Sequence, residues 1–167
     1  KPLWQQYLLY LGNLLQGDLG ASFRYADWSV NDLVAKALPV SLAIGGTSLV
    51  LSLVVGVALG ALAALRQNSA ADYALMAVSN VGSVVPSFVV GPVLVLVFAL
   101  WLRWLPAGGW DHFNWRFMLL PVALLTFINV ATSGRVMRGS LIEVLKSPFI
   151  RTARAKGLPT RLVVMRH

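Results

Sequence analysis

The chain has 167 residues, 57% of them hydrophobic and only 12% charged, which leaves too little polar side chain to wet the surface of a soluble domain. Its net charge of +8 is concentrated, because residues 135–167 hold eight Lys or Arg against the single acid Glu143. With no cysteine, a disulfide framework and a thiolate metal site are excluded.

Taken in chain order, Leu3 to Leu15 is rich in Leu, Tyr and Gln, and Gly17, Asp18 and Gly20 then break the pattern. These residues predict a short amphipathic helix ending in a turn. In RYADWSVNDLV, residues 24–34, Ser29 stands three residues before Asp32, a capping box with Asp in place of Glu or Gln. The spacing predicts a second short helix leading towards a membrane. Lys1, Arg24 and Lys36 balance Asp18, Asp27 and Asp32, so residues 1–36 form a neutral head, which suits the non-cytoplasmic side.

Between Lys36 and Arg66 lie 29 uncharged residues, 37–65. About 20 suffice to cross a bilayer, so this is a first transmembrane helix. Gly56 and Gly60, followed by Ala61 and Ala64, would let another helix approach closely, in ordinary packing rather than a special dimer seam. A short polar loop, 66–72, is expected in the cytoplasm. The second span, 73–102, has 30 uncharged residues but contains Gly82, Pro86, Gly91 and Pro92. Each internal proline removes a backbone hydrogen bond and crowds the preceding turn, so a kink or break is expected near 86–92. Broken backbone at membrane depth is tolerated only against protein or a wet cavity. Pro86, Ser87 and Phe88 are therefore candidates for lining a translocation pathway, with a packing kink as the alternative.

Residues 103–116 gather Trp104, Trp110 and Trp115 beside Trp101, as expected of amphipathic rings at headgroup level in an interfacial loop. His112 stands alone there, with no residue at metal-ligand or catalytic spacing. The third span, 117–134, carries 18 uncharged residues, including Thr126, Asn129, Thr132 and Ser133. Asn129 is costly against hydrocarbon and is expected either to hydrogen-bond a neighbouring helix or to face the pathway.

The basic segment 135–167 sets the orientation. Its cations follow the third span directly and place it in the cytoplasm, so three crossings put residues 1–36 outside. RGSLIEVLKSP, 138–148, continues the third helix with Leu141 and Leu145 on one face. FIRTARAKGL, 149–158, reads as a short helix with both ends written in. Ser147 is suited to cap the first free amides, Pro148 to the first helical position and Gly157 to a left-handed stop. At about 100° per residue, Phe149, Ile150, Ala153 and Gly157 share one narrow face while Arg151, Arg154 and Lys156 point elsewhere. A shallow apolar face with small Ala153 at its middle suits a groove in another protein. The alternative is an interfacial helix whose cations meet lipid headgroups. Leu158 and Pro159 turn the chain again, and Thr160 is suited to cap a further helix.

FIRTARAKGL resembles the cytoplasmic coupling loop of the permease subunits of bacterial ABC importers. The family-wide pattern, Glu-Ala-Ala, three residues, then Gly, sets its leading positions on Arg151, Thr152 and Ala153, so that Ala153 and Gly157 match. RTARAKG is similar to the form that peptide permeases carry. GDLGASF at 17–23, SVNDLVAKALPVSL at 29–42, VPSFVVGP at 85–92 and WLPAGGW at 104–110 are similar, in the same order, to the B-subunit family of oligopeptide and dipeptide permeases. The resemblance implies an all-α membrane protein of the bacterial inner membrane. It would show three transmembrane helices of a six-helix ABC importer permease, with a cytoplasmic coupling helix at 148–157, one further helix before Lys1 and two after His167. The implied partners are a second homologous permease, two cytoplasmic ABC ATPase subunits, a periplasmic peptide-binding protein and membrane lipid. On this reading Phe149, Ile150, Arg151, Thr152, Ala153, Arg154, Ala155, Lys156 and Gly157 sit in a cleft of one ATPase, and oligopeptides pass from periplasm to cytoplasm.

The sequence contains no Gly-x-x-x-x-Gly-Lys-Ser/Thr phosphate loop, no His-Glu-x-x-His and no nucleophile elbow. No catalytic residue, metal ligand or bound cofactor is therefore expected on this chain, and ATP and Mg would bind the partner ATPases. The competing reading is a non-transporting membrane anchor whose basic tail binds anionic lipid or nucleic acid. Cations near anionic lipid contribute about 1 kcal/mol each, enough in number to hold such a tail. Two short helices joined at Gly-Leu-Pro have the outline of a helix-turn-helix, but next to a membrane and without a three-helix core no nucleic-acid partner is expected.

Overall fold

The computed structural model describes residues 2–111 and 113–157, with the backbone alone at residues 83, 151, 153 and 154. His112 and the expected turn and cap at Leu158, Pro159 and Thr160 lie outside the described residues. The chain divides into two compact units, Lys1–Ile44 and Gly45–His167. Regular structure among the described residues is helical, with one isolated antiparallel bridge between Ala21 and Ser29.

In the first unit, α1 (Leu3–Leu15) begins where the Pro2 carbonyl accepts from the amides of Gln5 and Gln6 at 3.1 and 3.2 Å. The chain then turns at Gly17 and enters α2 (Val30–Leu65), and Asn31 ties the connection down. Its side chain accepts from the Leu19 N–H at 2.8 Å and donates to the Gly17 carbonyl at 2.5 Å, while the Val30 N–H donates to the Gly20 carbonyl at 2.9 Å. The expected capping box forms in both directions. Ser29 Oγ accepts from the Asp32 N–H at 3.1 Å, and Asp32 Oδ2 accepts from the Ser29 N–H at 3.2 Å. The Ser29 hydroxyl, and then its N–H, hold the carboxyl of Asp32, which lies ahead of the apolar run, below the usual carboxylate range. The Lys36 ammonium rests 3.7 Å from the Trp28 ring centroid.

The helix started by this box is not the separate short one expected. α2 runs 36 residues without interruption, and the boundary expected between residues 36 and 37 falls inside it. Only the charge pattern changes there. No glycine or turn residue stops the helix, and Pro39 removes one backbone bond without ending the ladder.

In the second unit, α5 (Trp115–Leu145) is the central element, with α3 (Ala70–Val84) and α4 (Ser87–Leu94) packed on it. The later turns of α2 bury Ser48, Ser52, Gly56, Gly60 and Ala64 at intervals of four, so one edge of the helix carries almost no side chain. Backbones meet along that edge. A Cβ at Gly56 would stand 2.7 Å from the Ser133 Cβ, and one at Gly60 would stand 2.9 Å from the Met137 Cβ and closer still to the Gly134 carbonyl oxygen. Gly134 faces α3 as well, since its Cβ would lie 3.5 Å from a Leu75 methyl. The Gly56–Gly60 pair is thus a packing seam within the chain.

α5 extends the expected third span at both ends. Asn114 caps its start by accepting from the Arg116 N–H at 3.2 Å, and the helix continues past Arg135 to Leu145. The expected second span is two helices. α3 ends at Val84, Val85 and Pro86 are extended, and α4 starts at Ser87, with a bend of 99° between the segments 70–82 and 87–101. Pro86 sits at the break, in line with the expectation from its sequence. Pro92 lies inside α4, where it takes one donor out of the ladder, and the chain continues from Val95–Trp101 in the wider turns of a π-helix. By length and apolarity α2 and α5 each suffice to cross a membrane, and the bent pair would supply a third span.

Candidate coupling site and pathway

Only Lys146 and Ser147 separate α5 from α6 (Pro148–Ala155). In this turn the Lys146 N–H donates to the carbonyls of Ile142 and Glu143, both at 3.2 Å, and the Ser147 N–H to that of Val144 at 3.0 Å. Ser147 was expected to cap α6, but its hydroxyl turns back and donates to the Val144 carbonyl at 2.6 Å. The last carbonyls of a helix lack partners just as the first amides of the next one do, and here the carbonyl of α5 takes the hydroxyl. Pro148 opens α6, Thr152 returns its hydroxyl to the Pro148 carbonyl at 3.1 Å, and Gly157 adopts φ +81°, the expected left-handed stop.

The apolar face of α6 is divided between two uses. Ile150 is 1% exposed and belongs to the interior of the chain, whereas Phe149 is 51% exposed. The expectation that Ile150 belongs to the docking face is therefore corrected. An eight-residue helix makes too few backbone bonds to stand alone, so the buried Ile150 contributes to holding it. Phe149, Thr152, Ala155, Lys156 and Gly157 remain exposed, while the side chains of Arg151, Ala153 and Arg154 lie outside the described residues.

Above this turn lies a contact that sequence reasoning missed. Asp72, in the first turn of α3, is 2% exposed, and Arg138 of α5 meets its carboxylate with two nitrogens. Nε bonds Oδ1, and Nη2 bonds Oδ2 at 2.7 Å. The same carboxylate accepts from the Asn68 N–H at 2.9 Å, and the Ser69 hydroxyl accepts from the Asp72 N–H at 3.4 Å, so the cap of α3 and the ion pair share one side chain. One turn earlier on α5, Arg135 donates to the Ser79 carbonyl at 3.3 Å. Both arginines were counted only as part of the basic tail. The available signal was Asp72 itself, an acid three residues after a serine at the very start of an apolar run.

Of the pathway candidates, Pro86, Ser87 and Phe88 lie exposed at the break between α3 and α4. Asn129 is also exposed, and its amide donates to the Leu125 carbonyl of its own helix at 2.9 Å, so its bond is not the helix-to-helix bond that was one of the two expectations. The structure does not bring these candidates onto one surface of α5. Gly82 abuts Phe127 and Ala131, and Gly91 abuts Leu124, so α3 and α4 cover the face that carries those residues. At about 100° per residue, Asn129 points to the opposite face. Leu125, Thr132, Val136 and Ser140 share its exposed side.

The tryptophan loop is anchored on the π-helical segment. The Phe98 carbonyl accepts from the amides of Trp104 and Leu105 at 2.9 and 3.2 Å, and Trp110 meets Phe113 edge-on at 5.1 Å. Trp101, Trp104 and Trp115 are largely exposed. Phe98, Trp104, Trp115 and Leu119 help line an apolar cleft of about 410 Å³. Among the described residues no cluster of His, Cys, Asp or Glu could hold a metal ion.

Residues 56–167, from the close seam of α2 through α6, match the family model described as the inner membrane component of binding-protein-dependent transport systems. The chain belongs to this family. It is an all-α, multi-pass component of the inner membrane. The chain is 55% identical over all 167 residues to the oligopeptide transport system permease protein OppB of Haemophilus influenzae, covering 55% of that protein. It is 51% identical over 166 residues to OppB of Escherichia coli strain K12, covering 54% of it. The dipeptide transport system permease protein DppB of Lactococcus lactis is 39% identical over 167 residues, with 54% of it covered. The chain therefore spans about half the length of the curated relatives it matches.

Proposed function

We propose that this permease component serves an ATP-driven ABC importer that moves oligopeptides from the periplasm to the cytoplasm. The observation that carries the substrate class is the 55% identity, over the whole chain, to an oligopeptide permease. In this reading residues 1–36 and the loop 103–116 face the periplasm, and residues 66–72 and 135–167 face the cytoplasm. The partners are a second homologous permease, two cytoplasmic ATPase subunits that bind ATP and Mg, and a periplasmic peptide-binding protein.

Each residue range has a distinct role in this scheme. Residues 149–157 seat in a cleft of an ATPase subunit, with Phe149 as the exposed apolar anchor and Ile150 holding α6 to its own chain. Pro86, Ser87 and Phe88 face the pathway at the break. Asn129 heads a second, partly polar surface on the far side of α5. A polar side chain exposed on a membrane helix is costly against hydrocarbon, which supports protein or water as its neighbour.

A single cysteine at Thr152, tested for crosslinking to a cysteine in the cleft of the co-expressed ATPase subunit, examines the coupling role. The expected result is a crosslink whose yield changes with ATP, together with ATP-dependent peptide uptake by the reconstituted full-length complex. An intact complex with no crosslink at Thr152 or its neighbours would favour the lipid-binding anchor instead.

A further inference from the structure

We infer that Asp72 and Arg138 form a latch that passes movement of α6 to the broken helix α3–α4, with both residues acting by position rather than by touching the transported molecule. The inference rests on the importer reading above and concerns how its stroke is transmitted.

Three observations carry it. The link from α6 to α5 is two residues long and hydrogen-bonded at both of them, so a movement of α6 is carried to the end of α5. Seven residues before that end, Arg138 leaves α5 and grips Asp72 with two nitrogens. A two-pronged guanidinium–carboxylate contact constrains orientation as well as distance, which a single-point contact does not. Asp72 in turn lies in the first turn of α3, whose far end is the break at Val85 and Pro86. α3 is thus a rigid rod of about 22 Å, gripped at one end and hinged at the other. The Asn68 N–H on the same carboxylate ties the loop between α2 and α3 to the grip.

The close pairing of helices by Gly134 and Leu75 gives contact between α3 and α5 but no fixed register, because small apolar surfaces slide. The directional Asp72–Arg138 ion pair, with the Arg135 bond to the Ser79 carbonyl one turn earlier on α5, supplies the register. Its position about two helical turns before the end of α5, and in the first turn of α3, places the fixed point on the side from which the driving element arrives.

The test uses the full-length complex with ATPases, second permease and binding protein, and the substitutions Arg138→Lys, Asp72→Glu and Asp72→Asn. Arg138→Lys keeps the charge and removes the two-pronged geometry, so it is the variant least prone to misfold. The expected outcome is a complex that assembles, crosslinks through Thr152→Cys in response to ATP, and hydrolyses ATP, yet delivers about ten-fold less peptide per ATP. A spin label at the exposed Val93 of α4 should lose its ATP-dependent change in the same variant. Unaltered peptide per ATP with an unaltered Val93 signal in Arg138→Lys would overturn the latch. Proportional loss of assembly, hydrolysis and uptake in all three variants would overturn it too, by showing a role in folding alone. If the unsubstituted complex moves no peptide but the Val93 signal still follows ATP and needs Arg138, the latch stands and the peptide reading fails.

Discussion

Arg138 and Asp72 are 66 residues apart in sequence, yet the guanidinium of one and the carboxylate of the other meet through two bonds, with the carboxylate hidden from solvent. Removing one partner of a buried pair leaves the other charge without compensation, and that cost exceeds the value of the pair itself. Asp72→Asn is expected to lower the Tm of the detergent-purified full-length protein, and Arg138→Lys to lower it less. Asp18→Asn, in the exposed turn after α1, serves as the control. Equal Tm values for all three would show that the pair contributes nothing to the fold.

The seam between α2 and α5 makes a sharper prediction, because the obstructing atoms at Gly60 are largely backbone. A side chain there must push the helices apart, at about 1–3 kcal/mol or more. Gly60→Leu should reduce the yield of monodisperse protein, whereas Gly45→Leu, with nothing within 4 Å of its Cβ position, should not. Size-exclusion profiles of the two variants, expressed side by side, decide the matter.

Neighbouring residues of α6 should separate two roles. Ile150→Ala empties a fully buried site, a change that costs about 2–5 kcal/mol in well-packed cores. It is expected to free α6 for cleavage by trypsin in the detergent-solubilised protein. Phe149→Ala should leave the digestion pattern unchanged and weaken recovery of the ATPase subunits on affinity purification. Matching digestion patterns for both variants would contradict the division of the face.

Gly157 has open space where a Cβ would stand, so any penalty there comes from the backbone at φ +81°. A β-branched or bulky residue in that conformation costs roughly 1–2 kcal/mol, and asparagine less. Gly157→Leu is therefore expected to insert normally and to lower peptide uptake, with Gly157→Asn in between. Normal uptake by Gly157→Leu would count against a role for the stop in docking.

Much of the local structure was legible without coordinates. Ser29 and Asp32 announced a helix start, Gly17 and Gly157 announced stops, and Pro86 announced the break, because each acts on backbone bonds within four residues of itself. The same locality explains the errors. The Ser29–Asp32 spacing marked the helix start correctly, but its end was placed at the change in charge after Lys36; charge is not a stop signal, and α2 runs straight through. Ser147 had two orphan groups within reach, and its sequence context does not rank the Val144 carbonyl above the amides of α6.

Apolar run lengths, the basic tail and the order of family-like segments determined on their own that this is an all-α membrane protein, with a short helix at 148–155 after its last long one. Only the tertiary structure decided which face of each helix is used. Periodicity groups Phe149 with Ile150, yet one is open and the other buried. Polarity makes Asn129 a pathway candidate and the broken backbone makes Pro86 one, but the sequence does not reveal that α3 and α4 cover the other side of α5. Nor does it pair Asp72 with Arg138, because residues 66 apart in sequence meet only once α3 and α5 lie side by side, and that approach is a property of the fold.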